Sequence, residues 1–242
     1  MEKVKKNVGQ FDLDVKNNDG YIYTTNNKFS SIVASKRITD SMNQFIEEDV
    51  KTLIDIGCGD GTHVDSIKKF RPDLNITGVE PAANAIDIAK SKYKNIVFEV
   101  ASIYDDEYFK GKHFDLAIFR GVLHHVSDPE LAIKKITGFA DKMLIVEPNG
   151  NNFILKIIER YSKYHIEHEE QSFSSSTLKI WCENSGWNIK ALTFIGFVPI
   201  FFPTIPSKII YFFQPLLEKL PVINKYLSGQ IVILCEKRDK KK

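Results

Sequence analysis

The chain has 242 residues, 43% hydrophobic and 26% charged, a make-up that suits one large globular domain or two small ones and excludes a disordered or fibrous protein. Lys and Arg number 33 against 31 Asp and Glu, a formal charge of +2, so no field favours a polyanion and nucleic acid is not an expected partner. Cys58, Cys182 and Cys235 are far apart and show no CxxC spacing, which argues against a disulfide framework or a zinc knuckle. The polar, lysine-bearing start lacks the apolar core of a signal peptide, so a cytoplasmic location is expected.

Residues up to about Asn27 predict an irregular arm that carries Tyr21 and Tyr23. From Ser30 or Ser31, read as an N-cap, Ile38, Met42, Phe45 and Ile46 recur as one apolar stripe of a helix. Lys51 to Ile56 is the first predicted strand. After the glycine loop that follows it, a helix from Thr62 turns Val64, Ile67 and Phe70 inward until Pro72 stops it. Asn75 to Glu80 reads as strand two, Pro81 to Tyr93 as a helix with Ala82, Ile86, Ala89 and Tyr93 on one face, and Asn95 to Val100 as strand three. Phe114 to Arg120 is a nearly continuous apolar run, suited to a strand buried on both faces. Asp128 and Pro129 give a cap-then-N1 signature for a helix to about Phe139, and Met143 to Glu147 makes strand five.

Beyond strand five, the segment 149–174 is an insertion, helical over Phe153 to Tyr161, with a polar cluster of His165, Glu167, His168, Glu169 and Glu170. That density of histidine and carboxylate suits a divalent metal or the bracketing of an acceptor, and equally a solvated turn. A helix from about Ser175 places Leu178, Trp181 and Cys182 on one face and ends at Gly186; Ile189 to Gly196 and Gln230 to Glu236 are the last strands. Between those two strands, 197–228 sets five prolines among Phe, Ile and Leu. The prolines oppose a membrane-spanning helix and favour an apolar cap. The stretch from Lys208 to Leu220 is apolar almost all round and therefore needs a partner: the core, an apolar substrate, a second subunit or a bilayer surface. The basic ending, Lys237 to Lys242, reads as a solvated tail or a weak contact to anionic lipid.

The alternation of strands and helices predicts an α/β fold, Rossmann-like and doubly wound, with a mostly parallel seven-stranded sheet and helices on both faces. Residues 1–50 would pack as an arm and helix on a domain of residues 51–242. The stretch that organises this domain is Leu53 to Thr62, where the first strand runs into Gly57, Gly59 and Gly61. Glycine allows φ > 0 and removes the Cβ that would hold a ligand off the backbone. Glu80 ends strand two, 25 positions after Asp55, where its two acceptor oxygens match the diol of a ribose. The glycine spacing lacks the two-residue interval of the dinucleotide fingerprint, which favours a nucleoside without phosphates over a pyrophosphate.

Leu53 to Thr62 together with Glu80 resembles the S-adenosylmethionine site of class I methyltransferases. The resemblance implies that Asp55, Gly57, Cys58 and Gly59 form the loop under the methionyl part, and that Glu80, followed by Pro81, holds the ribose. Ser102 stands where the family often has an Asp against the adenine amine; with Ile103 it is the implied contact to the base. Phe119 to Pro129 is similar to the ubiquinone/menaquinone-biosynthesis branch and its small-molecule relatives, which puts Arg120 and Gly121 at the cofactor's methionyl end. His124 and His125 follow at the ligand-binding edge of the sheet, where either is a candidate general base or a packing residue. His168 is a third candidate to face the substrate, and Glu147, ending strand five, is read as pointing to the same edge. The implied reaction moves a methyl group to oxygen, nitrogen or carbon of a small or lipid-like acceptor, leaving S-adenosylhomocysteine (SAH), with no metal. Peripheral membrane contact and a monomer or homodimer fit the same reading. The rival readings are a protein that binds the cofactor without catalysis and, disfavoured by the glycine spacing, a nicotinamide-dependent reductase.

Overall fold

The computed structural model describes residues 28–161 and 171–238, so Tyr21, Tyr23, His168 and its neighbouring polar cluster lie outside the described residues. In chain order its elements are α1 (Phe29–Phe45), β1 (Thr52–Ile56), α2 (Thr62–Phe70), β2 (Asn75–Glu80), α3 (Ala83–Lys92), β3 (Val97–Val100), α4 (Asp106–Phe109) and β4 (Phe114–Arg120). There follow α5 (Pro129–Ile136), β5 (Ala140–Pro148), α6 (Phe153–Tyr161), α7 (Ser175–Asn184), β6 (Trp187–Ile195), α8 (Thr204–Leu217), α9 (Pro221–Leu227) and β7 (Gln230–Lys237).

The strands form one seven-stranded sheet in the order β3-β2-β1-β4-β5-β7-β6. β1 to β5 pair in parallel, and β7 runs antiparallel to both of its neighbours. The strand order reverses between β1 and β4, and in such sheets ligands bind beyond the carboxyl ends of the strands at that point. One face buries Leu53, Ile118 and Leu144 against Met42 of α1, Val64 and Ile67 of α2 and Ile86 of α3. The other buries Ile54, Phe119 and Ile145 against Ile133 of α5, Leu178 of α7 and Trp187. Trp187 lowers the cost of its burial by donating Nε1–H to the Ile133 carbonyl at 3.2 Å.

The helix starts follow from local chemistry. The Asp128 carboxylate accepts from the Leu131 N–H at 2.9 Å with Pro129 behind it, and the Ser174 hydroxyl accepts from the Thr177 N–H at 3.1 Å. Two expectations are corrected. Ser30 and Ser31 are not caps: α1 starts at Phe29, both serines are buried inside it, and the Ser30 hydroxyl donates to the Ile200 carbonyl at 2.8 Å. Phe70 does not turn inward; at the last position of α2 it is 55% exposed, because Val64 and Ile67 already take up the apolar face.

The insertion 149–174 follows β5 and runs into α7, and the insertion 197–228 links the end of β6 to the start of β7; Gln230 pairs with both Pro148 and Ile195, so both insertions leave the sheet at the same edge. Asn149 Nδ2 donates to the carbonyls of Lys225 and Ser228 at 2.9 and 3.0 Å, and Asn152 Nδ2 to those of Leu227 and Ser228 at 3.1 and 3.0 Å. These two side chains bind the end of α9 to the loop after β5.

Candidate active site

Strand register decides which side chains meet. Asp55 lies opposite Gly78 on β2 and Ile118 on β4, so Glu80 and Arg120, each two residues further along, project to the same face as Asp55. Glu147 shares a face with Ile145, which packs in the opposite layer. The edge therefore carries polar groups on both faces of the sheet.

On the first face the loop turns through three left-handed glycines, Gly57 (φ 76°), Gly59 (φ 55°) and Gly61 (φ 78°). Gly57 and Cys58 donate their N–H groups to the Val79 carbonyl at 2.7 and 3.0 Å, and the Cys58 carbonyl accepts from Gly61 at 3.1 Å. The Glu80 carboxylate completes the turn, accepting from Gly59 N–H at 3.3 Å and from Ala82 N–H at 3.0 Å. The glycines serve protein packing as well as backbone geometry. A Cβ on Gly57 would stand 2.5 Å from Val122 Cγ2, and one on Gly61 would stand 2.8 Å from the Phe98 ring. The sequence reading assigned that space to a ligand; at these two positions other side chains fill it. Cys58 faces the core, and burial pushes its thiol well above the ordinary cysteine range.

Asp55 is buried, and among the described residues its Oδ1 has no hydrogen-bond partner. Burial raises its carboxyl to about 7, against the opposing pull of the Arg120 charge. Arg120 is lowered to about 9 by burial and is held up in part by Asp55. Its Nη1 donates to Thr39 Oγ1 at 3.2 Å and lies 3.9 Å from Met42 Sδ, so α1 braces the guanidinium. His63, the second residue of α2, is also pressed well below the usual imidazole range by burial and by the Arg120 charge. Sequence reading missed His63 and Thr39; the position of His63 in the first turn after the glycine loop was the available signal. Ser102 and Ile103 follow β3 at the same edge. The Ser102 hydroxyl accepts from Tyr104 N–H at 3.3 Å and the Ile103 side chain is buried in the core.

On the second face, Glu147 is fully buried beneath the loop after β4. Its Oε1 accepts from the N–H groups of Val122 and Leu123 at 2.8 and 2.7 Å, and its Oε2 lies 2.7 Å from His124 Nδ1. Glu147 thus lies at the expected edge, where its carboxylate holds the loop after β4 and orients the His124 ring. A carboxylate that accepts two N–H bonds is an acceptor for the third, so Nδ1 carries a proton toward Glu147 and Nε2 is the ring nitrogen turned away from it. Gly121 (φ 65°) starts this turn, and the His125 ring lies against that of His124 with centroids 3.8 Å apart. Among the described residues no group of three or more His, Cys, Asp or Glu is placed to hold a metal ion.

A sheet of this strand order, with a glycine turn after β1 and an acidic residue closing β2, has the architecture of a class I S-adenosylmethionine-dependent methyltransferase. The family described as a methyltransferase domain matches residues 33–192, more than half of the chain. The chain belongs to that methyltransferase family, in which S-adenosylmethionine is the methyl donor. The match is to the general domain and does not reach to the ubiquinone/menaquinone branch. An uncharacterized methyltransferase of Schizosaccharomyces pombe is 32% identical over 95 residues, 35% of this chain and 34% of that protein. The chain therefore matches about a third of that relative's length. Among solved structures, the plantazolicin methyltransferase BpumL with a triazolic desmethylPZN analog and SAH is similar at TM-score 0.60 and 16% identity, covering 98% of this chain and 99% of that one. The cyclase SpnF is similar at TM-score 0.61 and 15% identity, covering 87% and 83%.

Proposed function

We propose that this methyltransferase acts on an apolar or lipid-like small-molecule acceptor, with the cofactor seated along the face that carries Asp55, Glu80 and Arg120. The observation that carries the cofactor seat is the buried, unbonded Asp55 Oδ1 beside a guanidinium bonded only through Nη1 among the described residues. That pair matches a zwitterion, Asp55 taking an ammonium and Arg120 a carboxylate. Glu80, anchored by two backbone N–H groups, stands where its carboxylate would meet a ribose diol, and Gly59, Pro81 and Gly121 would lie along the path between, with Gly57 holding the turn beneath it. Ser102 and the Ile103 N–H are the groups offered to the base. When bound, S-adenosylmethionine supplies an activated methyl group to an oxygen, nitrogen or carbon nucleophile and is released as SAH.

The residues then have separable tasks. Gly57 and Val122 interlock the two loops, which holds donor and acceptor sites in fixed relation. His124 Nε2, oriented by Glu147, takes the proton of an acceptor that carries one. The apolar reading of the acceptor rests on the segment 197–228, which leaves and re-enters the sheet at this edge and is dominated by Phe, Ile, Leu and Pro.

The test is calorimetric titration with S-adenosylmethionine, followed by mass spectrometry of a cell extract incubated with the chain and isotope-labelled cofactor. Labelled products confined to the apolar fraction are expected. Labelled products that are all hydrophilic would remove the acceptor assignment, and cofactor binding without any labelled product would favour a non-catalytic role. For a protonated acceptor, His124→Ala is expected to lower kcat by about 10²–10⁴-fold, with a smaller loss for an acceptor already ionised at the assay pH.

A further inference from the structure

The helix α8 is inside out. Its two buried residues are polar, Ser207 and Gln214, seven positions apart on one side. Ser207 Oγ donates to the Pro203 carbonyl at 2.7 Å, and Gln214 Oε1 accepts the Phe197 N–H at 3.0 Å. At 3.6 residues per turn the opposite side carries Ile205, Ile209, Phe212 and Leu216 in a single stripe, with exposures of 75, 56, 78 and 59%. The next helix, α9, adds Val222 at 71%. A water-facing helix of a monomer carries the reverse pattern, and a contiguous exposed apolar face marks a contact.

The charges of the segment select the partner. Between 197 and 228 the charged residues are Lys208, Glu218, Lys219 and Lys225. Glu218 is turned inward: it receives Arg37 Nε at 3.0 Å and Nη2 at 2.7 Å, and the Gly196 N–H at 3.0 Å. The exposed charges are therefore the three lysines alone. A two-fold dimer through this face would oppose a like-charged patch to its own copy, with no acid in the segment left to pair. Apolar side chains flanked by lysines match instead a bilayer surface with anionic headgroups. No helix among the described residues is long and apolar enough to cross a membrane, which leaves contact at the surface.

We infer that α8 and α9 dock the chain on anionic lipid bilayers, with the Ile205–Leu216 stripe entering the acyl boundary and Lys208, Lys219 and Lys225 facing the headgroups. This goes beyond methyl transfer and does not rest on it, since docking needs neither cofactor nor acceptor. It would bring the carboxyl edge of the sheet to the membrane, where a lipid-like acceptor resides.

The test is flotation of the full chain with phosphatidylcholine vesicles and with vesicles containing about one third phosphatidylglycerol, without cofactor, at low and high salt. The anionic vesicles are expected to carry the protein and the neutral ones to carry far less. Each of Lys208→Gln and Lys219→Gln should weaken partition about five-fold. The double variant Ile209→Ser with Phe212→Ser should abolish it while its melting temperature and cofactor affinity stay unchanged. Failure of the wild type to float, flotation undiminished in the double variant, or a wild-type dimer that the double variant dissociates would overturn the inference. None of these results would bear on the cofactor seat, which is tested by titration.

Discussion

The carboxyl edge of β1, β2 and β4 and the helical segment α8–α9 treat polarity in opposite ways. At the edge, two buried carboxylates are answered by the chain's own backbone, Glu80 by Gly59 and Ala82 and Glu147 by Val122 and Leu123, while the Oδ1 of Asp55 is left without a partner among the described residues. In α8 the polar Ser207 and Gln214 are also buried, but large apolar side chains are left outside. The first region is organised by internal demand and the second by something beyond the chain. The difference separates substitutions that break folding or the cofactor seat from substitutions that change only contacts with the surroundings.

The largest effect is expected at Gly57. Gly57→Val places a Cβ in the space of Val122 Cγ2 and adds the cost of a branched residue at φ 76°, about 1–3 kcal/mol before the clash is counted. Cofactor binding should fall below detection by calorimetry, and pairing it with Val122→Ala should recover only part of it, because the backbone strain remains. Glu147→Ala follows. It strips the acceptor from two buried N–H groups and from His124, at about 1–3 kcal/mol for each group left unsatisfied, and should appear as a lower denaturation midpoint together with a lower kcat. Glu80→Ala should weaken cofactor binding by about 1.5–3 kcal/mol, the scale of a charge-assisted hydrogen bond. At the small end, Ile209→Ser should shift stability by no more than about 0.5 kcal/mol in urea denaturation. A loss of several kcal/mol at Ile209 would erase the contrast between the regions.

How much of this was legible in the sequence depended on whether the deciding contact was local. The strands at Asn75–Glu80 and Phe114–Arg120 and the Asp128–Pro129 helix start were readable because burial on both faces and capping leave marks within a few residues. Ser30 misled because a serine that bonds a distant carbonyl, that of Ile200, looks the same in sequence as a cap. The glycines were correctly read as a left-handed turn, but their crowding by Val122, Phe98 and Tyr93 depends on strand pairing. Glu147 was placed at the right edge, yet its burial follows from the loop of β4 folding over it. For α8, a helix apolar almost all round does not reveal which side faces inward; Ser207 and Gln214, spaced seven apart, were the one mark of it.

The seat formed by Asp55, Glu80 and Arg120 is tested most directly by one titration. Asp55 has a native carboxyl raised to about 7. A bound ammonium requires that carboxyl to be ionised, so affinity for S-adenosylmethionine should strengthen as pH rises through about 7 and level off above it. Below that range binding should expel the Asp55 proton, visible as a heat that depends on the ionisation enthalpy of the buffer. Asp55→Asn should flatten both dependences. Calorimetry from acid to mildly basic pH that shows this linkage in the wild type and its loss in Asp55→Asn is the predicted result; no binding of S-adenosylmethionine by the folded chain, or tight NADH binding in its place, would contradict it.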